Sequence, residues 1–437
     1  MLFKDVALID ENMKLREHCW LGTIGDKIEY IGDLMPDDPQ KYGRLYSKSR
    51  GKLLIPGFVN AHSHAGMYML RGYAENMRLM DWLTKRIFPF EAQLRPEDVY
   101  WSTLMSIAEM LRFGIVATTE MYMPGAALCE AFAEGGVRAN ISGHFVCFGN
   151  EHYDELPIAR ENREMFTKYN NYDNGRIKTE FCVHSEYTTT QRVVSELAAE
   201  AKAMGGAVHV HISETADEVE QCRARHKGRS PVEYMEECGI FELPVNAAHC
   251  VHLSDSDIEL LAAHKVNVAS CPKSNLKLAS GVCPAVKLMK AGINVALGTD
   301  SVASNNNLNM LEELKFFALL HKGVNGDPTL ITPGEALYAA TRAGAIAQRR
   351  KDCGLLKEGF KADIVAIDVD KVYMKPAHSL LNNLIYSALG SDVFMTLVNG
   401  EVLYEDGEYK KLDVEKIAKK CEASQQRILE ELAATGK

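Results

Sequence analysis

Two histidines one residue apart close the run Pro56-Gly57-Phe58-Val59-Asn60-Ala61-His62-Ser63-His64. On a strand, side chains two apart share a face, roughly 6.5 Å apart along the backbone. Imidazoles placed so can converge on one ion with Zn–N bonds of about 2.0 to 2.1 Å. Alone, the pair reads equally as two polar residues at a strand end, but further donors follow along the chain. In Val208-His209-Val210-His211-Ile212-Ser213-Glu214 the two histidines again face one way. Only His211 lies far enough along to reach the strand end, so it is read as a ligand and His209 as a packed core histidine. Glu214 falls in the loop above, where it suits a proton shuttle. In Ala247-Ala248-His249-Cys250-Val251-His252, His249 faces the site and His252 takes a structural place in the loop. Asp300, in Leu297-Gly298-Thr299-Asp300-Ser301, follows a buried strand, where a carboxylate is costly unless paired or coordinated. It is either a metal ligand or a cap of the next helix, whose start at 301–307 has caps of its own. Three imidazoles and one carboxylate suit one divalent metal, Zn2+ first, with Fe2+ or Mn2+ admitted by the same donors. A metal lowers the pKa of a bound water to about 7, so the chemistry is metal-assisted hydrolysis.

These donors need strand ends to hold them. Between residues 56 and about 350, short apolar runs alternate with amphipathic helical stretches, the pattern of βα units around a parallel sheet. Eight strands are expected, at 53–60, 115–121, 137–146, 177–183, 207–212, 245–250, 266–270 and 293–297. Helices at 96–113 and 254–264 are the clearest, the second opening on a Ser/Asp cap. Eight such strands are the arithmetic of an α/β fold of the (β/α)8 TIM-type barrel class, whose active sites lie at the C-terminal strand ends. A doubly wound open sheet is the alternative, but no G-x-G-x-x-G or G-x-x-x-x-G-K-[ST] loop is present. Residues 1–55 and 361–410 share another style, short β segments and turns with no helical period. The tail 411–437 reads as an amphipathic helix packed on the barrel exterior.

Composition excludes several function classes. The 437 residues carry a formal charge of −10, which argues against nucleic-acid binding through phosphate contacts. No run of about 18 apolar residues would span a membrane, and the N-terminus is too charged for a signal peptide. The eleven cysteines are scattered with no C-x-x-C pair, so a reduced, cytoplasmic protein is expected.

The segments P-G-F-V-N-A-H-S-H, H-I-S-E, A-A-H-C-V-H-L, S-C-P-K-S-N-L-K-L and G-T-D-S-V-A-S-N-N-N-L-N resemble the amidohydrolase superfamily. Within it they are most similar to the branch of the 5′-methylthioadenosine/S-adenosylhomocysteine deaminases, related to the triazine hydrolases. The resemblance runs from about residue 3 to 410. It implies a barrel at 56–360 with a small composite β-sandwich from 1–55 and 361–410. It implies one metal held by His62, His64, His211 and Asp300, and no carboxylated lysine. Glu214 would protonate the ring nitrogen next to the attacked carbon. His249 and Asp300 would orient the water and carry its protons. Glu91 matches a position that holds ribose hydroxyls, which a carboxylate can accept; on residue type alone it is an exposed helix-start charge. His184 matches a substrate-binding histidine, and Trp82 would form an apolar wall beside it. One departure is Gly143, where the branch carries an arginine that grips the distal part of the substrate.

The expected activity is therefore hydrolytic deamination of an adenine nucleoside (methylthioadenosine, S-adenosylhomocysteine, adenosine or 5′-deoxyadenosine) to the inosine analogue and ammonia. Gly143 weakens the claim on the homocysteine tail. The alternative is an aminohydrolase or chlorohydrolase of a free heterocycle such as guanine, a pterin or an s-triazine. A metal-free scaffold is disfavoured because every ligand position is filled. The H-x-E…P-C-x-x-C pattern of cytidine deaminases is missing. The partner is a small molecule, neither nucleic acid nor membrane, and a homo-oligomer is compatible with the sequence.

Overall fold

The computed structural model describes residues 1–46 and 48–435. Eight parallel strands follow one another in sequence order: β1 (Phe58–Ser63), β2 (Ile115–Met121), β3 (Arg138–Ser142), β4 (Ile177–Val183), β5 (Val208–Ile212), β6 (Val245–His249), β7 (Asn267–Ser270) and β8 (Val295–Leu297). Closure is made past the end of β8. Ser63 and Asp300 form a parallel bridge, and the Asp300 N–H donates to the His62 carbonyl at 3.0 Å. Gly298 permits this approach, since a Cβ there would lie 2.8 Å from the His62 Cβ. Nearly every strand residue is buried, as expected of a parallel sheet covered by helices.

The first strand differs from its expected span. The apolar run 53–60 is two strands: Lys52–Pro56 belongs to a different sheet, and β1 begins only at Phe58. The chain changes sheets at Pro56-Gly57. The Gly57 N–H donates to the Asp363 carbonyl at 3.0 Å, and a Cβ on Gly57 would meet Val116 at 2.3 Å. The third strand stops at Ser142, short of the expected 146, and residues 143–146 leave the sheet.

The two chain ends form one composite unit. Its nine strands are hydrogen-bonded as a single sheet, because Lys52–Pro56 pairs with Leu2–Ile9 on one edge and Ile364–Asp368 on the other. The alternation of that central strand serves two cores: Leu54 faces Phe3, Leu21, Ile364 and Met395, while Leu53 and Ile55 face the barrel. A buried ion pair, Arg138 Nε to Asp363 Oδ2 at 2.6 Å, ties β3 to this sheet.

The helices at Pro96–Arg112 and Asp255–Ala263 lie where the sequence places them, with Ser254 accepting from the Asp257 N–H at 3.1 Å. The terminal helix Val414–Thr435 packs on Pro96–Arg112, and Gln425 Nε2 donates to the Met69 carbonyl at 2.6 Å. Residues 436 and 437 of the expected tail lie outside the described residues. All eleven cysteines are buried and free. Among the described residues no helix is long and apolar enough to cross a membrane.

Candidate metal centre and substrate pocket

Strand alternation and four kinks place the donors. His62 sits inside β1, His64 just past it, His211 in β5 and His249 at the end of β6. Ser213, His249, Cys250 and Asp300 all have positive φ, between 49° and 68°, unusual for residues with a Cβ. Such strain concentrates where a surrounding site over-determines it. Here it falls at or just past the ends of β5, β6 and β8.

The donor atoms converge. Candidate ligand atoms of His62, His64 and Asp300, and of His62, His211 and His249, lie within 4.8 Å of one another in each set. Asp300 Oδ1 is 3.5 Å from His62 Nε2 and 3.3 Å from His64 Nε2, and His211 Nε2 is 3.4 Å from His64 Nε2. Each ring is fixed from behind through Nδ1. His64 donates to the Met121 carbonyl at 2.5 Å and His211 to the His184 carbonyl at 2.7 Å. His249 Nδ1 is 2.9 Å from Asn275 Oδ1, and His62 Nδ1 is 2.9 Å from His209 Nε2. Anchored Nδ1 atoms leave the Nε2 lone pairs turned inward, the usual outer-shell arrangement of metal-ligating histidines. His62 Nε2 is fully buried and has no hydrogen-bond partner. A buried polar atom left without a partner calls for an explanation, and a divalent cation supplies it.

Burial lowers the His62 pKa to about 3 and pushes His211 well below the usual value, so both are neutral donors. Burial would raise Asp300, but contacts with His62 and His64 overcome it and hold the carboxyl well below its ordinary range. Its Oδ2 accepts from Ser274 Oγ at 2.5 Å and Ser304 Oγ at 2.9 Å. Asp300 therefore points into the cluster instead of capping the next helix, where Ser301 accepts from the Ser304 N–H.

Glu214 lies beside this cluster, with Oε2 3.9 Å from His249 Nε2 and Oε1 accepting from Ser280 Oγ at 3.3 Å. Burial raises its pKa. The backbone behind it is held by Glu218, which accepts from the Ser213 N–H at 2.9 Å and the Glu214 N–H at 2.6 Å. Glu218 thus positions Glu214. Glu218→Ala is expected to lower kcat about tenfold through misalignment while metal content stays at wild type. Steady-state rates and elemental analysis check this, and an unchanged kcat refutes the role.

A pocket of about 60 Å3 opens above the cluster, lined by Glu214, His184, Trp82 and Glu91 among others. Its roof comes from the short helix Leu79–Trp82, a π-helical turn Leu83–Ile87 and the helix Phe88–Glu91. Glu91 is 8% exposed, unlike the solvated helix-start charge that its residue type suggests. Burial raises its pKa to about 7, with the Tyr122 hydroxyl beside it.

Some supporting residues were not expected. His209 does more than fill the core, since it backs the His62 ring. Ser274 and Asn275, in the S-C-P-K-S-N motif, hold Asp300 and His249. His252 has the structural place expected, Nε2 donating to the Ser280 carbonyl at 2.6 Å. A Cβ at Gly143 would face Ile158 and Asn162, and the next residue, His144, is the one that lines the pocket. A second close set, Glu186, Cys222 and His226, does not line it, and its carboxylate is engaged by Arg225 and by His226 at 3.1 Å.

The sequence pattern of the Amidohydrolase family matches residues 53–403. A 5-methylthioadenosine/S-adenosylhomocysteine deaminase of Thermoanaerobacter pseudethanolicus is 40% identical, over 98% of this chain and 99% of that protein. A 5′-deoxyadenosine deaminase of Methanocaldococcus jannaschii is 38% identical, over 91% and 94%. Among solved structures, an adenosine deaminase from Xanthomonas campestris with bound zinc superposes with a TM-score of 0.90 at 30% identity, covering 98% of each chain.

Proposed function

The chain belongs to the amidohydrolase family, and from that premise we propose that it hydrolytically deaminates an adenine nucleoside, giving the inosine analogue and ammonia. The observation that carries this reading is one pocket with a metal-type histidine cluster and a buried Glu214 at its base, and a buried Glu91 on its wall. The relatives named above are deaminases of nucleosides with this base.

His62, His64, His211 and Asp300 would hold one divalent ion, Zn2+ by the character of the donors, with Fe2+ or Mn2+ as other occupants. When bound, the ion would lower the pKa of a water to about 7. The chain's own residues do the rest. Glu214 gives its proton to the ring nitrogen beside C6 of adenine, making that carbon electrophilic. His249, its ring fixed by Asn275, orients the water and with Asp300 accepts its protons. Oxygen adds to C6, one of the water's protons passes through Asp300 to the departing amino group, the C6–N bond breaks and ammonia leaves, and the other proton restores Glu214. Glu91 accepts the two vicinal ribose hydroxyls, while His184 and Trp82 flank the substrate.

Ammonia release from adenosine and methylthioadenosine by the zinc-loaded protein tests the reading, and no turnover of any adenine nucleoside overturns it. Glu91 supplies a sharper test. Glu91→Ala is expected to lower kcat/KM for adenosine about 100-fold, two charge-assisted hydrogen bonds being lost, and to spare turnover of a ribose-free base. Equal losses would favour a free heterocycle as substrate. With its pKa near 7, Glu91 is a carboxylate above that pH and protonated below it, so KM for nucleosides should rise on acidification through 7.

A further inference from the structure

Away from the catalytic pocket, the helix Ala216–Arg225 carries a second convergence of donors. Glu218, Cys222 and His226 recur every four residues, so they lie along one face. The His226 N–H donates to the Cys222 carbonyl at 2.8 Å, which carries the helical spacing through the C-cap. Cys222 and His226 meet Glu186, which opens the short turn Glu186–Thr188 beyond β4. Ligand atoms of these three lie within 4.8 Å of one another, as do those of each set at the catalytic cluster. Glu186 Oε2 is 3.1 Å from His226 Nε2, and both Glu186 and Cys222 are buried. Arg225 binds the other Glu186 oxygen. The Tyr234 ring packs on the His226 imidazole with centroids 4.2 Å apart, and its hydroxyl is buried without a hydrogen-bond partner.

We propose that Glu186, Cys222 and His226 form a second cation site, for a borderline-to-soft divalent ion of the zinc class. A carboxylate oxygen, a thiolate sulfur and an imidazole nitrogen suit zinc over magnesium or calcium, which prefer all-oxygen sites. A tetrahedral ion with bonds of about 2.0 to 2.3 Å holds its donors roughly 3.3 to 3.8 Å apart. The oxygen–nitrogen edge is already 3.1 Å, so the adjustment falls on the sulfur, by about an ångström at most. As the sulfur–metal bond forms, the thiol proton passes to solvent, and thiolate and carboxylate together balance the ion's two charges. Arg225 keeps Glu186 Oε1 and leaves Oε2 free to bind. The His226 side chain, 23% exposed, opens the way in and leaves a fourth position to water. An ion pair of Glu186 with Arg225 and His226 accounts for the carboxylate alone and gives Cys222 no part. The site takes no part in breaking the C6–N bond, but it joins two segments that serve the catalytic pocket. Glu218, one turn before Cys222, holds the Glu214 backbone, and Tyr187, next to Glu186, lines that pocket.

The test is spectroscopic and needs no turnover, so this inference and the proposed function fail separately. No sulfur is among the converging donors of the catalytic cluster, so a thiolate-to-cobalt charge-transfer band reports a cysteine site alone. The full chain, loaded with about one equivalent of Zn2+ to fill the larger catalytic ligand set, is titrated with Co2+. The band should grow and saturate at about one further equivalent per chain. Cys222→Ser should abolish it. His226→Ala should weaken Co2+ binding at least about tenfold, since even an outer-shell partner of a metal is worth that much. Circular dichroism checks the fold of both variants, and the wild-type titration decides even where a variant does not fold. No band in the wild-type chain at a large molar excess of Co2+ overturns the inference. So does a band that survives Cys222→Ser, or binding as tight in His226→Ala as in the wild type.

Discussion

Glu214→Gln should lower kcat for adenosine deamination by about 10^3-fold, the middle of the range for a positioned general acid–base group, with metal content unchanged. Glutamine keeps the size of the side chain and can still accept from Ser280, but it has no proton to transfer. The wild-type carboxyl is suited to the task by its surroundings. Burial raises its pKa, the direction that suits a proton donor, and Glu218 and Ser280 fix its backbone and one oxygen. Glu214 is not among the residues whose ligand atoms converge at the cluster, so the ion should stay. Steady-state kinetics paired with elemental analysis separates the two properties. A variant turning over at near wild-type rate would mean that another group protonates the ring.

Chelation should have the largest effect: turnover falls to background and returns with about one equivalent of Zn2+ per chain, as for a single mononuclear site. The same treatment should destabilise the fold. A ligand present at a thousandfold excess over its Kd stabilises the native state by about 4 kcal/mol, all of which is lost with the ion. The imidazoles and a buried carboxylate would then remain packed without the ion between them. Thermal unfolding before and after chelation reads this directly, and dialysed protein that keeps its turnover with less than about a tenth of an equivalent of metal would sink the assignment.

The convergence of the donor side chains was legible because a barrel converts a local pattern into a global one. Any donor at the C-terminal end of a parallel strand meets the others at one mouth, so His62, His64, His211, His249 and Asp300 could be proposed from position alone. Other features depended on contacts that leave no periodic mark. The run 53–60 looked like one strand because both sheets it visits are buried, and only Pro56-Gly57 marks the crossing. Ser274, Asn275 and Ser304 meet their partners only after loops from different strands fold over the mouth. Glu91 is apolar in surroundings and acidic in type, and residue type alone favours solvent. His209 shares the alternation of His211, yet only the 2.9 Å approach to His62 shows what it does.

The roof over the cluster implies a cycle. A space of about 60 Å3 is small beside the pockets that hold drug-sized ligands. For a nucleoside to enter that space, residues 79–91 would have to move outward, and again to free the product. The π-helical turn Leu83–Ile87 is the natural joint, since such turns are rare and are found mostly at functional sites. The pace of the enzyme then belongs partly to that hinge, and thickening the solvent would slow turnover even where the bond-breaking step is untouched.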